Sequence, residues 1–243
     1  MFKGSYLITF NIIELQCKVN NEILKGVILK RYQSTNKEEN SMVELYIVRH
    51  GETDTNFEGR INGMSTDKPL NANGIKQVEE LAKHVDINKF DEIYSSPMKR
   101  AMQTAEILNN GVHEIHQDKR LYEADYGSWD GVKETDLRDK YPDAFDENHY
   151  LTPAYTKYAK GGEEYADVYK RVEDFMDDMA KKGNKKILVV CHGFVSRSFL
   201  KVVTGANDIS QIIQPDNAGV SKYVISDSGV KYLHYYGRVN SID

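Results

Sequence analysis

From Met42 onward the apolar positions alternate between short continuous runs and a helical spacing. Residues 43–48 are almost all apolar, the pattern of a strand covered on both faces. Ile75, Val78, Leu81, Ala82 and Val85 then fall on one helical face, which predicts a helix over 72–85. A second strand is expected at 90–94. Ser96-Pro97 follows it and reads as a helix start, with Ser as cap and Pro in the first turn. That helix is expected to reach Leu108, with a short strand near 113–116 after it. Tyr165, Val168, Val172, Phe175, Met176 and Met179 form a longer stripe, predicting a helix over 163–181. Residues 186–191 read as a strongly buried strand, with a helix over 194–203 behind it. Residues 219–225 and 230–236 flank Ser226-Asp227-Ser228-Gly229, a hairpin signal. Strands alternating with helices imply a three-layer α/β/α sandwich around a mostly parallel central sheet.

Residues 1–41 do not share this alternation. They hold two β-like runs, 6–15 and 23–29, around Asn20-Asn21, and then a polar stretch over 33–41. They read either as an added β-hairpin with a linker or as a segment outside the working domain, and the second reading is favoured. Lys37-Glu38-Glu39, just ahead of Met42, fits the codons of a purine-rich ribosome-binding sequence. The working domain is therefore expected over 42–243. An intact mass of the natively expressed protein that begins at Met1 would contradict this.

Composition narrows the chemistry. The formal net charge is −5 over 243 residues, with 40% apolar residues. That allows a sizeable core and gives no sign of a nucleic-acid partner or a basic membrane surface. An anion can still be bound where a few Arg and His residues are gathered locally. No run of eighteen or more apolar residues is present, so no membrane span is expected. The N-terminal stretch lacks the features of a signal peptide. The two cysteines, Cys17 and Cys191, make neither a disulfide framework nor a zinc spacing, and a cytoplasmic home is expected. Cys191 reads as a small buried apolar residue. His113 and His116 lack an accompanying carboxylate pattern, so no metal is expected there.

In such sheets ligands sit beyond the carboxyl ends of the strands. The first strand ends in Arg49-His50-Gly51-Glu52-Thr53, the second in Ser95-Ser96-Pro97-Met98-Lys99-Arg100, and the late buried strand in His192-Gly193. Three strand ends thus bring two His and two Arg to one rim. Arg presents a planar fork of donors that matches phosphate oxygens. An imidazole can attack phosphorus and carry the phosphoryl group. Glycine beside each His lets backbone and ligand approach closely, and the helix start after Gly193 offers further N–H donors. Phosphoryl transfer needs mostly in-line placement and charge neutralisation, so no metal or other cofactor is expected.

These blocks resemble the histidine phosphatase superfamily, on the phosphoglycerate mutase-like branch (branch 1). The resemblance runs from about Val43 to Val224. It is carried by Arg49-His50-Gly51-Glu52-Thr53 with Asn56, by Gly59-Arg60, Asn62-Gly63, Pro69-Leu70 and Gly74, and by Ser95-Ser96-Pro97 with Arg100-Ala101 and Thr104-Ala105. It continues in Leu121 with Glu123, Gly127, Trp129 and Gly131, in Gly161-Gly162-Glu163, and in Val190-Cys191-His192-Gly193. The resemblance implies His50 as nucleophile, Arg49, Arg100 and His192 as the phosphate pocket, and Glu123 as proton donor to the leaving oxygen. Thr53, Asn56, Asn62 and Gly193 are the implied substrate contacts, and Asn62 stands where relatives often carry the longer Gln.

The residues themselves leave some choices open. A leaving alkoxide needs a proton, which a carboxylic acid of raised pKa supplies. Glu123 is favoured for that part over Glu52, Asp125 and Asp130. One ring nitrogen of His50 must be free to attack while the other is held as a donor. Of the sixteen Tyr residues, one or two between 150 and 169 are candidates for the substrate pocket, and the rest for helix packing.

The resemblance implies a phosphomonoesterase of histidine acid phosphatase type, acting on a small phosphorylated metabolite. Its mutases generally carry a Trp after the catalytic block and another near the following Gly, where this chain has Thr55 and Met64. They also have longer insertions than the stretch between Gly131 and Gly161. Hydrolysis is therefore expected ahead of mutase-type phosphoryl transfer. A catalytically inactive phospho-ligand-binding relative is the rival from another class; it would have lost His50 or Glu123. An ATP-using enzyme would need a Gly-rich loop ending in Lys-Ser or Lys-Thr, which is missing. The specificity region is expected over 128–158.

Overall fold

A computed structural model describes residues 41–242. The expected N-terminal extension, apart from Ser41, lies outside the described residues, as does Cys17. Six strands form one sheet: β1 (Met42–Arg49), β2 (Glu92–Ser95), β3 (Ile115–Gln117), β4 (Lys186–Cys191), β5 (Val220–Ser226) and β6 (Lys231–Arg238). Their order is β3-β2-β4-β1-β5-β6. β1, β4, β2 and β3 are mutually parallel, while β5 and β6 run antiparallel at one side. The mostly parallel sheet is thus observed, with the terminal hairpin as its antiparallel part.

The nearly continuous apolar run of β1 has a direct physical cause. Side chains alternate between faces along a strand, and both faces are covered. Leu45 and Ile47 enter one core with Ile187 and Val189, beneath α5 (Tyr165–Ala180) and α6 (Gly193–Thr204). Tyr46 and Val48 enter the other with Leu188 and Val190, beneath α2 (Ala72–Ala82) and α3 (Lys99–Asn109). All six residues of the predicted stripe on α5 are buried. Among the described residues two short α-helices complete the set, α1 (Asp54–Phe57) and α4 (Glu134–Arg138).

Two expectations about helix starts are corrected. The helix after β2 begins at Lys99, with Met98 as its cap residue and no side-chain cap bond. Ser96 and Pro97 therefore precede it, and the Ser96 hydroxyl is taken by a buried histidine. The long helix starts at Tyr165 rather than 163, because the Glu163 backbone is engaged outside it: its N–H donates to Asp125 O at 2.7 Å and its carbonyl accepts from the Tyr155 hydroxyl. The predicted first helix also ends at Ala82, three residues short of Val85.

Glycine is required where the β1 loop meets α2. A side chain at Gly51 would strike the Gly74 carbonyl, and one at Gly74 would strike the backbone of Glu52. Two backbones in contact leave no room for either Cβ. The loop after β1 is thereby pinned to the first turn of α2, whose cap Asn71 accepts from Gly74 N at 2.8 Å.

Candidate active site

β1 and β4 pair in register, with Arg49 opposite Cys191. His50 and His192 consequently leave the sheet side by side, and His50 N donates to Cys191 O at 3.0 Å. β2 pairs with β4 through Ser95 and Val190, which brings the first turn of α3 and its Arg100 to the same edge. Arg100 Nε lies 3.2 Å from His50 Nε2 and 3.1 Å from His192 Nδ1. The two imidazole centres are 5.2 Å apart. One guanidinium N–H therefore faces the ring nitrogens of both histidines.

These contacts fix the tautomers. His50 Nδ1 lies 2.6 Å from Gly51 O, and a carbonyl only accepts, so Nδ1 carries the proton and Nε2 keeps its lone pair. His192 Nδ1 accepts from Arg100, which leaves Nε2 as the donor to Ser96 Oγ at 2.8 Å. Burial, then the charge of Arg100, holds both histidines well below the usual imidazole range.

Arg100 is a buried cation held largely by carbonyls, and Arg49 is a half-buried one that lines the cleft. Arg100 donates to Thr66 O at 2.6 Å and to Asn62 O and Gly63 O at 3.1 Å, and burial lowers its pKa to about 10. Arg49 donates to Pro215 O at 2.7 Å, and its Nε has no partner among the described residues. Neither guanidinium has a carboxylate within salt-bridge distance among the described residues. Buried cations without counter-ions are costly, and a bound anion would offset that cost.

Among acidic groups, Glu123 acts most strongly on the charges of both Arg49 and Arg100. Its Oε1 accepts from Ala124 N at 3.0 Å, and its Oε2 accepts from Phe194 N, in the first turn of α6, at 3.1 Å. Burial nevertheless raises its pKa above the ordinary carboxylate value. Its three sequence rivals are engaged elsewhere: Asp130 accepts from Gly63, Ser65 and Thr66, Asp125 from Gly127, and Glu52 from Asn71. None of the three lines the cleft in which Glu123 stands.

That cleft has a volume of about 160 Å³ and is lined by Arg49, His50, Asn56, Asn62, Glu123 and Gly193, among others. Arg100 and His192 lie fully buried behind it. Thr53 does not line it: its hydroxyl caps α1 and is shared with Asn56 and Asn62, so this residue supports its neighbours. Gly193 leaves room for Gln214, whose side chain a Cβ there would strike. Tyr150 and Tyr165 line the cleft, in keeping with the expectation for one or two tyrosines.

Sequence reasoning missed Ser96, Glu134, Arg197 and Gln214. Arg197 was findable, being the one charged residue in the otherwise uncharged stretch 194–200. It is buried on α6, stacks 4.6 Å over Tyr150, and donates to Ile209 O. Gln214 sits in an aperiodic connection and carried no local signal. Cys191 is buried, and burial pushes its thiol up to about 12. No group of His, Cys, Asp and Glu suited to a metal occurs among the described residues, and none of their helices is long and apolar enough to cross a membrane.

The family model described as histidine phosphatase superfamily (branch 1) matches residues 45–237. The chain belongs to the histidine phosphatase superfamily. Phosphoserine phosphatase 1 of Hydrogenobacter thermophilus is 34% identical over 184 residues, covering 74% of this chain and 85% of that protein. The uncharacterized phosphatase PhoE of Bacillus subtilis is 34% identical over 195 residues, covering 80% and 94%. Among solved structures, a phosphoserine phosphatase mutant from Entamoeba histolytica in complex with phosphoserine superposes with a TM-score of 0.68 at 27% identity. It covers 80% of this chain and 96% of that one. Bacillus stearothermophilus YhfR gives 0.72 at 28% identity, over 81% and 98%. The superfamily's fold and phosphatase character therefore hold for this chain.

Proposed function

We propose that this histidine phosphatase hydrolyses a small phosphomonoester through a phosphohistidine on His50. The observation that carries the reading is Arg100 Nε set between His50 Nε2 and His192 Nδ1, at 3.2 and 3.1 Å. The nucleophilic lone pair of His50 and the Arg100 donor thus face one point, with the His192 ring beside them. Arg49 and Arg100 bind the phosphate oxygens. His192 joins them once its proton moves from Nε2 to Nδ1 and the Ser96 hydroxyl donates to Nε2 in its place. Asn56, Asn62 and the Gly193 N–H are further contacts. His50 Nε2 attacks phosphorus, a P–N bond forms, and the ester P–O bond breaks. The leaving oxygen takes the proton of Glu123. The Glu123 carboxylate then removes a proton from water, whose oxygen attacks the phosphohistidine. Phosphate departs, His50 regains its lone pair, and Glu123 is protonated again.

The relatives named as phosphatases support hydrolysis over mutase-type transfer, as do Thr55 and Met64 in place of the tryptophans associated with mutases. Rapid quenching of the enzyme with a 32P-labelled phosphomonoester tests the reading. An acid-labile, base-stable phosphoprotein is expected, and it should be missing in His50→Ala. Turnover without any such intermediate would overturn the covalent route. Isomerisation of a phosphoglycerate without phosphate release would overturn the hydrolytic one.

A further inference from the structure

Glu134 is an anomaly in a cleft that gathers cations. It opens α4 and lines the same cleft as Arg49, His50 and Glu123. No hydrogen bond to its carboxylate is found among the described residues; burial raises its pKa, and only the charge of Arg138, one helical turn on, opposes this. Arg60, which also lines the cleft, is engaged by Glu58 and the Gly131 carbonyl. A half-buried carboxylate without a donor is costly. Beside a phosphate ester it is also repulsive. Both penalties reverse for a ligand that brings its own positive charge.

We infer that Glu134 accepts the ammonium group of the substrate, so the natural substrate is a small phosphomonoester of an amino alcohol or amino acid. This rests on the phosphomonoesterase reading above. Phosphate and ammonium are then bound by opposite charges within one cleft of about 160 Å³, which limits the substrate to a short carbon skeleton. The same carboxylate disfavours substrates whose only charges are negative. If Glu134 merely paired with Arg138 along α4, the contact would be worth a few tenths of a kcal/mol and would select no substrate.

The test compares kcat/KM for two matched pairs that differ only in ammonium against hydroxyl. The pairs are O-phosphoserine with 3-phosphoglycerate, and O-phosphoethanolamine with 2-hydroxyethyl phosphate. The native enzyme should favour the ammonium member by about tenfold or more, as one charge-assisted hydrogen bond provides. In Glu134→Gln that ratio should fall towards one. A ratio near one in the native enzyme, or a ratio that persists in Glu134→Gln, would overturn the inference. So would losses in the variant that are equal for all four substrates, since a structural role lowers every rate alike. Failure of the native enzyme on p-nitrophenyl phosphate is a separate outcome: it would overturn the phosphomonoesterase reading itself.

Discussion

Arg100 Nε points at Nε2 of His50 from 3.2 Å, although the two residues are fifty positions apart in the chain. The same N–H faces His192, and the remaining guanidinium nitrogens are anchored on the carbonyls of Asn62, Gly63 and Thr66. The fork is thus held from three sides before any ligand arrives. Preorganised donors of this kind need no rearrangement when charge develops.

Arg100→Lys keeps the charge but not the fork. It should lower kcat/KM for phosphomonoesters by about 10²–10³-fold, the usual cost of losing one preorganised donor. Steady-state kinetics on p-nitrophenyl phosphate checks this. Near-native activity would mean that bridging the two histidines is unnecessary.

Glu123→Gln should slow alkyl phosphates by about 10²–10⁴-fold, the range of general acid catalysis, and activated aryl phosphates much less. Aryl leaving groups depart without a proton. Equal losses across a leaving-group series would assign the acid to another residue.

The pH profile follows from two opposite shifts. His50 must be neutral, and its pKa lies well below 6.5, so the nucleophile survives as pH falls past that value. Glu123 must be protonated, and its pKa is raised above 4.5, so activity is lost as pH rises through the raised value. The profile of kcat/KM, corrected for the second ionisation of the substrate phosphate near about 6, should therefore be a bell displaced to the acid side. Glu123→Gln should lose the alkaline limb. A profile with its optimum above neutrality would contradict these assignments.

Gly74→Ala forces a methyl group into the Glu52 backbone. Overpacking of this kind costs about 1–3 kcal/mol, and the strain falls on the loop that carries His50. Thermal unfolding should shift down by several degrees and kcat should fall with it. An unchanged transition would show that the contact between the β1 loop and α2 can relax freely.

The element order was legible because helix and strand periodicities are local. β4 was read over its full span, and α5 with all of its buried face, because each repeats a pattern within a few residues. The strand-end motifs also located the Arg and His set, since a parallel sheet delivers strand ends to one rim. The start of α3 was misread for a tertiary reason: Ser96 has the composition of a cap, but a histidine ninety-six positions away takes its hydroxyl.

The sequence by itself determined which side chains reach the sheet edge, and with them the family and the class of chemistry. Only the tertiary structure decided the protonation pattern, because the Gly51 carbonyl and the Arg100 guanidinium assign a role to each ring nitrogen. It also placed Glu123, which the sequence already favoured, in the cleft and Asp130, Asp125 and Glu52 outside it, and it placed Glu134, Arg197 and Gln214 around the cleft. Those outcomes depend on desolvation and on contacts between distant segments, which no periodicity within a short window encodes.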